Sequence, residues 1–141
     1  MKYILASPFI NVINNEVLRI EVSTPEQLLQ QEQAFKEAQV SDMLLFICNS
    51  YIPAPGETLS IQEVRKYNNV MTTLEHKYKP IEWMVFSEEE LVLLQKVCAW
   101  TLPRMLSVML RNADSLFVLL ENAPSTMPAN EEATVLENSQ R

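Results

Sequence analysis

A chain of 141 residues with eighteen acidic and eleven basic side chains, net charge −7, has the length of one domain. Its charge is of the wrong sign for a general nucleic-acid binder, whose affinity comes from Lys and Arg neutralising phosphate. Apolar content of 48% excludes disorder over the whole chain, and a single glycine excludes both GxGxxG and phosphate-cradling loops.

The first segment, KYILASPFINVINNEVLRIEV, reads as a β-ribbon over 2–22. Ile10 and Val12 alternate with polar neighbours, as do Leu18, Ile20 and Val22. Asn14-Asn15 between the two runs suits a tight hairpin turn, because asparagine tolerates positive φ. Thr24, Pro25 and Gln27 then form a helix-start signal, and Leu28, Leu29, Phe35 and Ala38 extend it as a thin apolar stripe over 24–39. Ser41 and Asp42 favour a helix over 41–50, although the run 43–52 also fits a buried strand.

The stretch PAPGE at 53–57 marks a boundary. Beyond it, Ser60 and Glu63 form a capping box for a helix over 60–78 that Pro80 closes. Ile61, Val64, Tyr67, Met71, Leu74 and Tyr78 are spaced to share its apolar face. The same grammar recurs at Ser87 and Glu90, with Phe86 and Leu91 placed as a hydrophobic staple. The helix it starts, 87–121, is apolar nearly all round and should be central, with Pro103 forcing a kink or a junction at Thr101-Leu102. Residues 123–141 lack apolar periodicity and read as a flexible tail. The expected fold is α+β: one domain over 1–122, an N-terminal β-hairpin packed on a mainly α-helical bundle.

Catalytic parts are scarce. His76 is the one histidine and lies off the apolar face of its helix, and Asp42 and Asp114, the two aspartates, sit where helix caps are expected. Cys48 and Cys98 are set among apolar residues as core thiols, with no CxxC spacing for zinc or redox work. No catalytic residue, metal site or cofactor is expected. Arg65, Lys66, Lys77 and Lys79 could form a small basic strip, which the net charge opposes. The N-terminal apolar run is too short for a signal peptide, and no window reaches the length of a membrane span, so a cytoplasmic protein is expected, with no membrane and no direct nucleic-acid partner.

In order, PFINVINNEV, ETLSIQEVRKYNNV, FSEEELVLLQKVCAWTLPRMLSVML and LFVLLE resemble small accessory proteins encoded by tailed bacteriophages, across residues 8–122. The resemblance implies a non-enzymatic protein that occupies a host complex, bacterial RNA polymerase first, as small phage inhibitors of that enzyme do. The alternative partner is another phage protein, for a morphogenesis factor or assembly chaperone. The resemblance assigns no site residue. From the residues themselves, Arg104 and Arg111 stand seven apart in an otherwise apolar segment, and continuous helix past Pro103 would put them on one face near Trp100. Arginine and tryptophan are enriched at interface hot spots, so Arg104, Arg111 and Trp100 are the expected partner-binding residues.

Overall fold

The computed structural model describes residues 1–53, 56, 58–79, 81–105 and 107–126, with the main chain only for Val108. Pro80, most of the 53–57 boundary and residues 127–141 lie outside the described residues. The fold is α+β: three antiparallel strand pairs flank a helical bundle.

Strand β1 (Lys2–Leu5) passes its sequence neighbours by, and the ribbon expected over 2–22 survives only at its tip. There β2 (Ile10–Asn11) and β3 (Glu16–Val17) form a short hairpin. Asn15 alone in its loop takes a positive φ, of 59°, so the chain turns through four residues rather than a two-residue type I′ turn. On either side the strands diverge to other partners. Strand β4 (Arg19–Glu21) pairs with β5 (Phe35–Glu37), and β1 pairs with β6 (Trp83–Phe86), in the register Lys2↔Phe86 to Leu5↔Trp83.

Strand β5 overturns the helix expected over 24–39. The capping box forms as anticipated, with the Thr24 hydroxyl accepting the Gln27 N–H, but helix α1 ends after Pro25–Leu29. Gln31 at φ 59° turns the chain out of helix. No residue of α1 is buried, and Leu29 is 85% exposed, so nothing rewards continuing a glutamine-rich helix. Phe35 instead lies under Arg19 of the paired strand, 5.6 Å from the guanidinium carbon.

Helix α2 (Val40–Asn49) resolves the ambiguity of its segment. Val40, Met43, Leu44, Ile47 and Cys48 are buried at helical spacing, and the Asp42 carboxylate accepts the Gln39 N–H at 2.8 Å. Helix α3 (Ile61–Glu75) and helix α4 (Glu88–Thr101) start at Ser60 and Ser87 with both capping boxes complete. Helix α3 buries Leu74 of the predicted stripe and Val70 outside it, with Tyr67 and Met71 partly buried against the core. Ile61 is 63% exposed, and Tyr78 packs on the core from beyond the helix end. The three helices pack on one another, and α4 carries Leu91, Leu93, Leu94, Val97, Cys98 and Thr101 into the core. It is not covered all round, since Val92 is 63% exposed. Phe86 and Leu91, the expected staple, are both buried.

At Pro103 the helical frame breaks, as the missing N–H requires. A 3-10 turn spans Leu102–Arg104, Met105 is extended, and helix α5 (Ser107–Glu121) begins afresh, so 87–121 is two helices joined by a turn. Helix α5 buries Met109, Asn112, Leu116 and Leu120. Asp114, expected at a cap, lies inside it. Past the helix Ala123 is buried, and the Pro124 carbonyl accepts the Tyr3 N–H, so the start of the expected tail is docked on β1.

Candidate partner-binding site

Trp100 stands on the last turn of α4 with its ring half-exposed. Its indole N–H donates to the Ile52 carbonyl at 2.7 Å, which fixes the ring against the chain leaving α2. The 3-10 turn then folds Arg104 back over it, placing the guanidinium carbon 3.6 Å from the ring centroid. One Arg104 N–H donates to the Trp100 carbonyl, where the dipole of α4 favours a cation. The remaining guanidinium N–H groups carry no ion pair among the described residues.

This stack borders an open concavity of about 370 Å³ lined by Phe46, Ser50, Ile52, Thr101 and Met105 as well. Phe46 and Ile52 are 49% and 76% exposed, so its walls are apolar and face solvent. Thr101 is 3% exposed, and its Oγ1 has no hydrogen-bond partner among the described residues. The Ser50 hydroxyl, by contrast, already donates to the Phe46 carbonyl at 2.9 Å. Phe46 also lines a second concavity of about 400 Å³, formed by Leu18, Arg19, Ile20 and Glu21 on one side and Asp42, Met43 and Met109 on the other.

The expected site is therefore assembled in part. Arg104 and Trp100 meet directly. Arg111 does not join them through a shared helix face, because the extended Met105 breaks the continuous helix on which the seven-residue spacing depended. Arg111 is exposed on α5 and forms no ion pair with Glu121 or its neighbours among the described residues. The sequence reading did not place Phe46, Ile52 or Thr101 beside this stack, where the structure brings them. The signal for Ile52 was the indole itself, whose N–H seeks an acceptor when its ring packs on protein.

A third concavity, between α3 and α4, is closed on itself electrostatically. Lys66 pairs with Glu89 at 2.8 Å and Lys96 with Glu63 at 3.2 Å. The Ser60 backbone N–H, and then Lys96, hold the Glu63 carboxyl below its ordinary range, and Lys66 does the same for Glu89. Lys66 is thus drawn away from the basic strip suggested by the sequence. His76, at the end of α3, is exposed and meets Tyr78 edge-on at 4.7 Å.

Both cysteines are buried free thiols. Burial pushes the Cys48 thiol up to about 12 and that of Cys98 higher still, so neither is a nucleophile near neutrality. Among the described residues no group of three or more His, Cys, Asp or Glu converges to hold a metal ion, and no helix is long and apolar enough to cross a membrane. No protein-family model, no curated protein and no solved structure matches the chain.

Proposed function

We propose that the chain is a non-enzymatic protein-binding regulator, of the kind tailed bacteriophages encode, which occupies a host complex, bacterial RNA polymerase first. The observation that carries the binding role is the Trp100–Arg104 stack. It presents a cation with no ion pair among the described residues, and an aromatic ring, beside apolar side chains left in solvent. Buried aromatic and arginine anchors supply much of the energy of protein interfaces. The phage and polymerase assignments rest on the order of the sequence segments, and the acidic character of the chain suits a basic surface on a partner.

The test is affinity capture from bacterial lysate with the tagged chain. RNA polymerase subunits should be retained at near-stoichiometric yield by wild type. Arg104→Glu should weaken that capture at least tenfold, about 1.4 kcal/mol. The protein should stay folded with a modestly lower thermal midpoint, since the change removes the surface stack and the helix-end cation but no core contact. Arg111→Glu should weaken it less, since Arg111 lies outside the stack. Retention of chaperones alone would end the regulator reading, and full capture by a folded Arg104→Glu variant would place the binding surface elsewhere.

A further inference from the structure

The two concavities have Phe46 in common, and taken together as one trough their chemistry is uneven. At one end stand Arg104, Trp100 and Ile52, with no carboxylate in the lining. At the other end the lining is apolar, with Leu18, Ile20, Met43 and Met109 between Arg19, Glu21 and Asp42. Asp42 there is already paired with Lys36 at 3.0 Å.

The second end also offers main chain. Val22 donates its N–H to Ala34 at 2.8 Å, and Ile20 is in register with Lys36, so by alternation the backbone groups of Arg19 and Glu21 face away from β5. Among the described residues no strand lies along that other edge of β4. An extended chain seated there would gain strand-type hydrogen bonds while its alternate side chains entered the apolar lining.

We infer that the trough binds an extended peptide segment of a partner protein, in which an aspartate or glutamate stands close to a large apolar residue. This deepens the proposed binding role and rests on it. The carboxylate pairs with Arg104, whose flat face is already fixed by Trp100 and whose N–H groups beyond the one on the Trp100 carbonyl match a carboxylate in forked geometry. The neighbouring apolar side chain covers Phe46 and Ile52, both of which face solvent in the free chain. The segment continues past Phe46 along β4. A small carboxylate ligand would use only one end of this surface, whereas an extended segment uses both.

Thr101 adds a second sign of a ligand. A buried hydroxyl without a hydrogen bond costs stability, and the Thr101 hydroxyl, which has none among the described residues, belongs to a residue that lines the Arg104 end. An acceptor on the peptide that reached this hydroxyl would supply its missing hydrogen bond.

The experiment is selection from a random-peptide display library on the immobilised full chain. Enriched peptides are then titrated, as fluorescent synthetic copies, against wild type and variants. Enriched sequences should carry Asp or Glu next to or near a large aliphatic or aromatic residue. Affinity should fall tenfold or more in Arg104→Gln, and equally when the peptide carboxylate is changed to its amide. Phe46→Ser should also weaken binding, and Val92→Ser, on α4 away from the trough, should not. Thr101→Val should bind several-fold more weakly while its thermal midpoint stays level or rises, a pairing that simple structural damage would not give. An unchanged affinity in Thr101→Val overturns the part given to the hydroxyl.

Enriched peptides without acidic residues, or full affinity in Arg104→Gln, overturn the ligand class. If Trp100→Ala and Phe46→Ser then still abolish binding, the face binds protein and only the ligand chemistry is wrong. If those two variants bind as wild type does, the binding role of this face fails with it. Absence of any enrichment also overturns the inference.

Discussion

Asn112 is fully buried on α5, where an unpaired amide would be costly. Its oxygen accepts the Val12 N–H at 2.9 Å, and its amide nitrogen donates to the Asn11 side chain at 3.2 Å. The Asn11 oxygen also accepts the Ile13 N–H at 3.0 Å. Two asparagines therefore fasten the loop of the β2–β3 hairpin to the last helix, while the apolar side chains Ile10, Val12 and Ile13 stay exposed and add little burial there. Asn112→Ala would remove the acceptor for Val12 and a partner of Asn11, at a cost of about 1–3 kcal/mol by the usual penalty for stranding buried polar groups. Urea denaturation measures it. A loss well under that range would mean that water replaces the amide, and that the hairpin is held by other contacts. Nothing local in the sequence distinguishes these asparagines from the exposed pair Asn68-Asn69, because the role comes from a partner a hundred residues away.

At the scale of elements, starts were legible and extents were not. All three Ser- or Thr-led capping boxes form, since each depends on residues three apart in sequence. The break at Pro103 was legible for the same reason. Whether a helix continues past its first turn depends on what it can bury, which is not local. Hence α1 stops after one turn, whereas α4 runs on. Strands β5 and β6 were missed because their partners lie elsewhere: Phe35–Glu37 and Trp83–Phe86 are each too short to declare themselves, and only pairing makes them strands. Of the expected site, Arg104 and Trp100 came together because they are four residues apart across a turn, while Arg111 depended on helix that the proline removes. The value of a cap should follow from what its helix buries. Ser87→Ala, at the head of a helix with six core residues, should cost about 1 kcal/mol. Thr24→Ala, at the head of a helix that buries none, should shift global stability by only a few tenths, with the loss confined to local fraying. Equal effects in urea titrations of the two variants would contradict this coupling of cap to core.

For the molecule as a whole, the first strand closes the structure. β1 pairs with β6 from the middle of the chain, the Tyr3 N–H reaches the Pro124 carbonyl at 3.2 Å, and the Lys2 ammonium reaches the Ser125 hydroxyl at 2.8 Å. Ile4 and Ala6, at 2% and 0% exposure, enter the same core as α2, α3 and α4. Removing β1 would leave β6 unpaired, release the segment after α5 and uncover the core at once. Ile4→Ala should cost about 2–5 kcal/mol, the range for truncating a large aliphatic core residue. Against a typical total of about 5–15 kcal/mol for a domain, that leaves a folded but fragile protein. Deleting residues 1–6 goes further and should abolish the cooperative urea transition, with circular dichroism retaining helix but showing a broad, sloping decay. Native-state hydrogen exchange offers the complementary measurement: the β1–β6 amides should exchange only through global unfolding, at the same free energy as the buried turns of α4. A deletion variant that still unfolds sharply near the wild-type midpoint would show that the helices α2 to α5 stand without the sheet, and that β1 merely covers them.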